Sequence, residues 1–401
     1  MYISQKVQIR LNEPSKKEFE KNFGYRRWIY NKGLEKWNKR YNYCKMHNYF
    51  EKINDDKLDK ESKKFIRKLL PDERVVREIV RPYTKTSWRK DRPSMIFETA
   101  IADLGKSFDN FRIHKISKFP KFKSKRDPIQ SCRYYRKNES AIKLNGRKLK
   151  LSKSPEVTLL EDIKFDGVIK EVTISKEIDK WYASFCIDIG KKRPKKVPHK
   201  SAEICGVDLG VRTFATIFDS NGECFEVSSQ IDKLEKLYNR TKVYNQIMKR
   251  KNPNSRNYND TRIKYQRTWK RIKDIRSNMV HELTTFLVKN YKYITLEDLD
   301  VREMIADKNN LTKGIRKSIA ESCFYEVKRQ LEYKQHIFNS ELVQVSRWFP
   351  STQLCSNCGR RNKIGKSKTY KCSCGHKIDR DVNAAINLMN EGKYLLGKVN
   401  P

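Results

Sequence analysis

Four cysteines and three carboxylates carry the chemistry available to this sequence. Cys355 and Cys358 stand as C-x2-C; after thirteen residues, Cys372 and Cys374 stand as C-x-C. Four thiolates in two close pairs suit one tetrahedral, structural Zn2+, and Gly359 and Gly375 sit where each turn must bend sharply. The second pair is tighter than the usual C-x2-C, and His376 is an alternative ligand. The competing reading is four free or disulfide-bonded thiols. A closed four-thiolate site has no open coordination position, so any catalysis must come from elsewhere.

Hard-oxygen chemistry has three candidates. The apolar run Ile204–Val207 ends in Asp208 before a turn at Gly210, and the apolar run Tyr293–Leu296 ends in Glu297. Asp381 lies in Asp379-Arg380-Asp381-Val382-Asn383-Ala384-Ala385, which opens a short helical run just after the last cysteines. Carboxylates far apart in sequence, each at the end of a buried element, point to a divalent-cation site. Neighbouring acids compete. Asp298 should point the other way if its strand continues, Asp300 lies further into the loop, and Asp379 suits a helix N-cap. A different stretch, Lys115–Arg126, interleaves basic residues with Phe119 and Phe122. There Lys118, Lys121, Lys123, Lys125 and Arg126 could neutralise phosphates while the two rings stack on unpaired bases. The alternative is a solvated loop with both phenylalanines tucked into a core.

These groups need elements to position them. Residues 2–11 alternate apolar and polar and predict a strand. Tyr30, Leu34, Trp37 and Tyr41 line one helix face, as do Phe97, Ile101, Leu104, Phe108 and Phe111 in a helix starting near Ser94. Both stripes suit helix packing better than base stacking. Residues 129–190 switch to strand patterns, with a hairpin turn at Asn145-Gly146. With the N-terminal strand they predict a small antiparallel β-barrel, the helices being an insertion after its first strand. The run 191–200, KKRPKKVPHK, marks a boundary. Beyond it come three strands (204–208, 212–219, 223–227), two long helices, the Glu297 strand, a helix around 315–335 and a strand at 341–347. That order is the one expected of an RNase H-like α/β fold, with the cysteine segment looped out before a closing helix.

The chain has 401 residues, enough for two to four compact units. Its 89 Lys and Arg against 48 Asp and Glu leave a formal charge of +41, which calls for a polyanionic partner such as nucleic acid. A hydrophobic content of 37% is enough for real cores and argues against a disordered basic tail. Cys44, Cys132, Cys186, Cys205, Cys224 and Cys323 are scattered, which suits a reducing compartment rather than a disulfide framework. No signal-type segment or membrane-length apolar run is present, so a soluble intracellular protein without a membrane partner is expected.

Three runs, GVDLGVRTF, ITLEDL and DRDVNAAINL, resemble the RuvC motifs of TnpB proteins, transposon-encoded RNA-guided nucleases, and of the related type V CRISPR effectors. RWFPSTQLCSNCG followed by YKCSCGH resembles the zinc ribbon placed before their third motif, and PKFKSK looks like another hallmark. The resemblance runs from about residue 1 to 395 and is strongest in the second half. It implies a multidomain α+β chain. Residues 1–12 would be a wedge strand, 13–118 a helical recognition lobe for the guide–target duplex, and 119–198 the wedge β-barrel. Residues 199–348 would be the RuvC core with motifs I and II, 349–378 the zinc ribbon, and 379–401 motif III with the tail. Asp208, Glu297 and Asp381 would hold two catalytic Mg2+, with Asp208 bridging, one ion activating water and the other stabilising the leaving 3′ oxygen. Asn383 would support Asp381, and Arg380 would touch the scissile strand. The partners implied are a guide RNA from the transposon end and double-stranded target DNA beside a short adjacent motif, bound by a monomer or a dimer. The compartment would be the prokaryotic cytoplasm and nucleoid, or the nucleus for a eukaryotic relative.

The family often carries an acid in R-x-D-x-x-H/K before the second motif. Here the run Arg276-Ser277-Asn278-Met279-Val280-His281 lacks it, which puts any role of that acid in doubt. A compact type V effector or a Fanzor-type nuclease shares all these motifs. A guided DNA-binding repressor would lose one of the acids, and an unguided junction resolvase would not need the regions before Ser201.

Overall fold

The computed structural model of the chain describes residues 2–55, 58–85, 89, 91–190, 202–304, 306, 322–363 and 367–397. It divides into two units, Met1–Lys192 and Arg193–Pro401. The division falls inside the basic run 191–200, whose residues lie outside the described ones. Among the described residues no helix is long and apolar enough to cross a membrane.

The first unit opens with β1 (Tyr2–Arg10) and, among the described residues, continues through five α-helices: α1 (Glu13–Met46), α2 (Tyr49–Lys52), α3 (Lys60–Leu69), α4 (Glu73–Val80) and α5 (Ser94–Arg112). Asn12 caps α1 by accepting from the Ser15 amide at 2.9 Å. The two aromatic stripes meet in the core, where Trp37 stacks on Phe108 with centroids 4.3 Å apart. Six strands follow: β2 (Ile129–Tyr135), β3 (Ile142–Asn145), β4 (Lys148–Leu151), β5 (Val157–Leu159), β6 (Val168–Glu177) and β7 (Lys180–Asp188). Gly146, at φ +55°, makes the β3–β4 turn.

The sheet runs β2-β6-β7-β1-β5-β4-β3. The N-terminal strand is therefore central, antiparallel to both β7 and β5, and the helices are an insertion behind it, as expected. The expected closed barrel is not formed: the order ends at β2 and β3, leaving an open sheet. Closure needs the end strands to pair in register. Here β3, β4 and β5 are only three to four residues long, and α1 and α5 pack against β2.

The second unit is built on β8 (Ile204–Leu209), β9 (Thr213–Asp219), β10 (Cys224–Ser228), β11 (Tyr293–Glu297) and β12 (Glu341–Val345), ordered β10-β9-β8-β11-β12. The first three form an antiparallel meander; β11 lies parallel to β8, and β12 parallel to β11. Among the described residues its helices are α6 (Ile231–Lys249), α7 (Arg256–Asn290), α8 (Val301–Met304), α9 (Phe324–Phe338) and α10 (Arg380–Leu395). Of the helix expected around 315–335, residues 315–321 lie outside the described ones. Before α10 come the short paired strands β13 (Thr369–Lys371) and β14 (Lys377–Asp379).

The central sheet is covered on both faces, so β8 is apolar almost throughout rather than alternating. Cys205, Val207, Ile294 and Leu296 join a core with Val280, Leu283 and Leu287 of α7 and Val327 and Leu331 of α9. The other face receives α10. Glycine is required there. A Cβ on Gly206 would stand 2.1 Å from the Ala385 carbonyl oxygen and 2.5 Å from the Met389 nitrogen. A Cβ on Gly392 would stand 2.1 Å from Oγ1 of Thr295. One glycine on the strand and one on the helix let α10 lie directly on β8 and β11.

Candidate active site and cysteine cluster

Strand alternation decides which acids meet. Side chains two residues apart share a face. Asp208 therefore faces the same way as Gly206, toward α10, and Glu297 the same way as Thr295, also toward α10. Glu297 lies one residue beyond Leu296, which pairs with Val207 across parallel strands, so the two acids leave neighbouring strand ends together. Asp381 enters from the first turn of α10, capped by Asp379, whose Oδ1 accepts from the Asp381 amide at 2.8 Å and the Val382 amide at 3.4 Å. The N-cap reading of Asp379 holds.

Burial pushes the Asp208 carboxyl up to about 7, and the charges of Asp381 and Glu297 push the same way against the opposing Arg380. Burial also raises Glu297, opposed by the Ser351 hydroxyl, which donates to its Oε2 at 3.4 Å. Arg380 lies 3.5 Å from Asp381. The charges of Asp381 and Glu297 both bear on the partly buried Asp208, a repulsion that a bound cation would relieve.

The competing acids are engaged elsewhere. Asp298 points the opposite way, to Lys328 of α9 at 2.5 Å, and that bond holds its carboxyl below the usual range. Arg347 lies 3.4 Å from Asp298 and Asp300 and 3.1 Å from Glu303.

One ligand atom from each of the four cysteines lies within 4.8 Å of the others. Sγ of Cys355 is 3.7 Å from that of Cys374, and Sγ of Cys358 is 3.6 Å from that of Cys372. Gly359 at φ +70° and Gly375 at φ +88° make the two bends. A bond from the Cys374 amide helps pull the Cys372 thiol down to about 6. This donor set and geometry fit a tetrahedral soft-metal site. His376 is not one of the four: its Nε2 is 3.2 Å from Oγ of Ser356.

Asn383 has partners the sequence did not reveal. Its amide is spent on the cysteine segment, accepting from the Ser356 amide at 3.0 Å and donating to the Leu354 carbonyl at 2.7 Å. The sequence alone does not single out Asn387, Ser351, Gly206 or Gly392. The signal for Asn387 was its spacing, four residues after Asn383 on one helix face. Trp348, 82% exposed, was also unused; it stands in the turn between Val345, which pairs with Glu297, and Ser351.

The basic stretch of the first unit divides. Phe119 is corrected from a stacking residue to a core one: its ring meets Tyr41, Phe108 and Phe111 at 5.6, 5.4 and 5.2 Å. It is partly buried because α1 and α5 offer it an aromatic pocket. Lys123 sits 4.2 Å over the Tyr30 ring, and burial pulls its ammonium down to about 8. Phe122 is 59% exposed, and Lys118, Lys121, Lys125 and Arg126 are exposed.

Comparison with known proteins places this arrangement. The pattern described as "Probable transposase" matches residues 184–307, and "Cas12f1-like, TNB domain" matches 324–388, a span that includes the cysteines. A pattern described as "Helix-turn-helix domain" matches 1–45, where the structure has β1 and the single long helix α1. InsQ of Escherichia coli (strain K12), named as a candidate RNA-guided DNA endonuclease, is 31% identical over 78% of this chain and 78% of its own. A protein of the same designation from Streptomyces pristinaespiralis is 30% identical over 77% and 75%. The protein chain of a solved Cas12f1–sgRNA–target DNA complex matches with a TM-score of 0.56 over 97% of this chain and 99% of that one, at 12% identity, a likeness of fold. With relatives of this identity and coverage, the chain belongs to the TnpB family.

Proposed function

We propose that the protein is an RNA-guided DNA endonuclease that hydrolyses phosphodiester bonds at Asp208, Glu297 and Asp381. The observation that carries this reading is the placement of Asp208 and Glu297 at adjacent strand ends facing α10, whose first turn carries Asp381, in a chain about 30% identical to relatives named for that activity. The strand order β10-β9-β8-β11-β12, an antiparallel meander extended by parallel strands, supports an RNase H-like, RuvC-type core. The relatives at about 30% favour the TnpB reading over a CRISPR effector, whose solved example stands at 12%.

In this reading Asp208 is the central ligand, with Glu297 and Asp381 on either side, and two Mg2+ are the resident cofactors. When bound, Mg2+ supplies an activated water and stabilises the leaving 3′ oxygen. Burial of the acids lowers the local dielectric and strengthens their grip on cations. Arg380, beside Asp381, offers a guanidinium to a phosphate of the bound strand. Ser351 orients Glu297 through its hydroxyl. The exposed indole of Trp348 offers a face to a base near the cut. One Zn2+ on Cys355, Cys358, Cys372 and Cys374 holds the ribbon and takes no part in the chemistry. The guide RNA reads the target by base pairing, while the basic protein holds the backbones.

The experiment is to co-express the protein with its native flanking locus and sequence the RNA that co-purifies. A single structured RNA ending in a flank-derived stretch, and Mg2+-dependent cleavage of matching DNA that Asp208→Ala abolishes, are expected. Specific cleavage by RNA-free protein would overturn the guided reading.

A further inference from the structure

Two asparagines of α10 join the acid centre to the cysteine cluster. Asn383 and Asn387 are 0% and 5% exposed. Asn383 bonds the Ser356 amide at 3.0 Å and the Leu354 carbonyl at 2.7 Å. Nδ2 of Asn387 donates to the Ser351 carbonyl at 2.7 Å and the Leu354 carbonyl at 2.8 Å. These bonds bracket Cys355. The same Ser351 gives its hydroxyl to Glu297. The second cysteine pair is attached differently: it lies between β13 and β14, and β14 runs straight into α10 through Asp379. Both cysteine pairs are thus tied to the helix that carries Asp381, one by the chain and one by side-chain amides.

We propose that Asn383 and Asn387 are positioning residues that couple the cysteine cluster to the acid centre, so that the affinity of Asp208, Glu297 and Asp381 for a divalent cation depends on the first cysteine pair being seated on α10. The inference rests on the reading of those three acids as cation ligands. Its physical basis is that truncating a buried amide leaves its former partners short of a hydrogen bond at a cost. Loss of Asn383 orphans the Ser356 amide and one bond to the Leu354 carbonyl, two positions from Asp381. Loss of Asn387 frees the Ser351 segment and the hydroxyl that holds Glu297. Outer partners of metal ligands commonly set affinity in this way.

The test uses the full-length protein with its co-purified RNA. Mn2+ binding is followed by electron paramagnetic resonance, and the Mg2+ dependence of cleavage is measured in parallel. Asn383→Ala and Asn387→Ala are expected to weaken Mn2+ binding by about tenfold or more and raise the half-saturating Mg2+ in step. At saturating Mg2+, kcat should stay within about threefold of the parent, since no reacting group is lost. Asn383→Asp keeps the acceptor for Ser356 and loses the donor to Leu354, so it should fall between; it carries the test if Asn383→Ala does not fold. Asn22→Ala, in the first unit where that amide bonds Tyr134, is the stability control and should lower Tm without moving Mn2+ affinity. Unchanged Mn2+ affinity in both α10 variants, at a site that Asp208→Ala abolishes in the parent, overturns the coupling alone. If Asp208→Ala leaves Mn2+ binding intact, the acid-centre reading fails and the coupling falls with it.

Discussion

At the scale of residues, the proposed acid centre would trade stability for cation binding. Burial, with the charges of Asp381 and Glu297, pushes the Asp208 carboxyl up to about 7 from the 3.8 of an ordinary aspartate. Because the folded value is the higher one, ionised Asp208 costs stability: the cost is absent below about pH 4, grows to about pH 7 and is constant above. Its ceiling is ~4 kcal/mol, and the partial exposure of Asp208 brings the expectation to ~2 kcal/mol. Asp208→Asn should therefore stabilise the protein by that amount at pH 8 in Mg2+-free buffer, by nothing at pH 4, and abolish cleavage. Urea midpoints at the two pH values check it, and a variant less stable at pH 8 would sink the strained-cluster account. Neighbours should separate as sharply. Glu297→Gln should remove activity, whereas Asp298→Asn should keep it within about tenfold and lose ~0.5 kcal/mol, since the Lys328 bond is about a third exposed. Parallel cleavage and melting assays distinguish them. The sequence alone puts Glu297 and Asp298 on opposite faces, because a strand's period is two residues. The core role of Phe119 was not legible: a ring in a basic stretch reads the same whether it meets a base or Phe108.

At the scale of elements, two glycines set how α10 meets the sheet, and through it where Asp381 stands. Gly206→Ala would drive a methyl into the backbone of α10, which no rotamer change can relieve. We expect a loss of ~3 kcal/mol together with loss of cleavage, read from denaturant midpoints and a plasmid assay. Gly24→Ala is the contrast: it lies inside α1, its new methyl meets only Nη2 of Arg27 at 3.8 Å, and it should add ~0.5–1 kcal/mol and leave cleavage unchanged. The strands of the second unit, the N-terminal strand, the capped helix at Asp379 and the paired cysteines with their glycine bends were legible, because each rests on local periodicity or turn chemistry. Gly206, Gly392, Asn383 and Asn387 were not. Their roles depend on which segment a far element is laid against, and that contact is set by the tertiary fold. The open sheet of the first unit was misjudged for a related reason: alternation shows that strands exist, but closure depends on strand length and on what covers the ends.

At the scale of the whole molecule, the charge must be matched by a partner. Lys and Arg outnumber Asp and Glu by nearly two to one in each unit, so the +41 is shared rather than confined to one tail. Many of the observed ion pairs are local contacts between exposed helix neighbours, which contribute little and leave most of the excess uncompensated. Such a protein should bind any nucleic acid by releasing counterions. For RNA-free protein on a duplex, log Kd should rise against log salt with a slope of about 6 or more, a weakening of ~10³-fold between 50 and 200 mM. The guide complex should behave differently. Bound RNA neutralises part of the same charge, so its affinity for unmatched DNA should fall and its salt slope flatten, while matched DNA is held by base pairing that salt does not screen in this way. Fluorescence anisotropy with matched and unmatched duplexes, with and without RNA, measures all four slopes. If the RNA-bound protein kept the full slope on unmatched DNA, the basic surface would not be the seat of the guide, and the charge would have to serve the DNA alone.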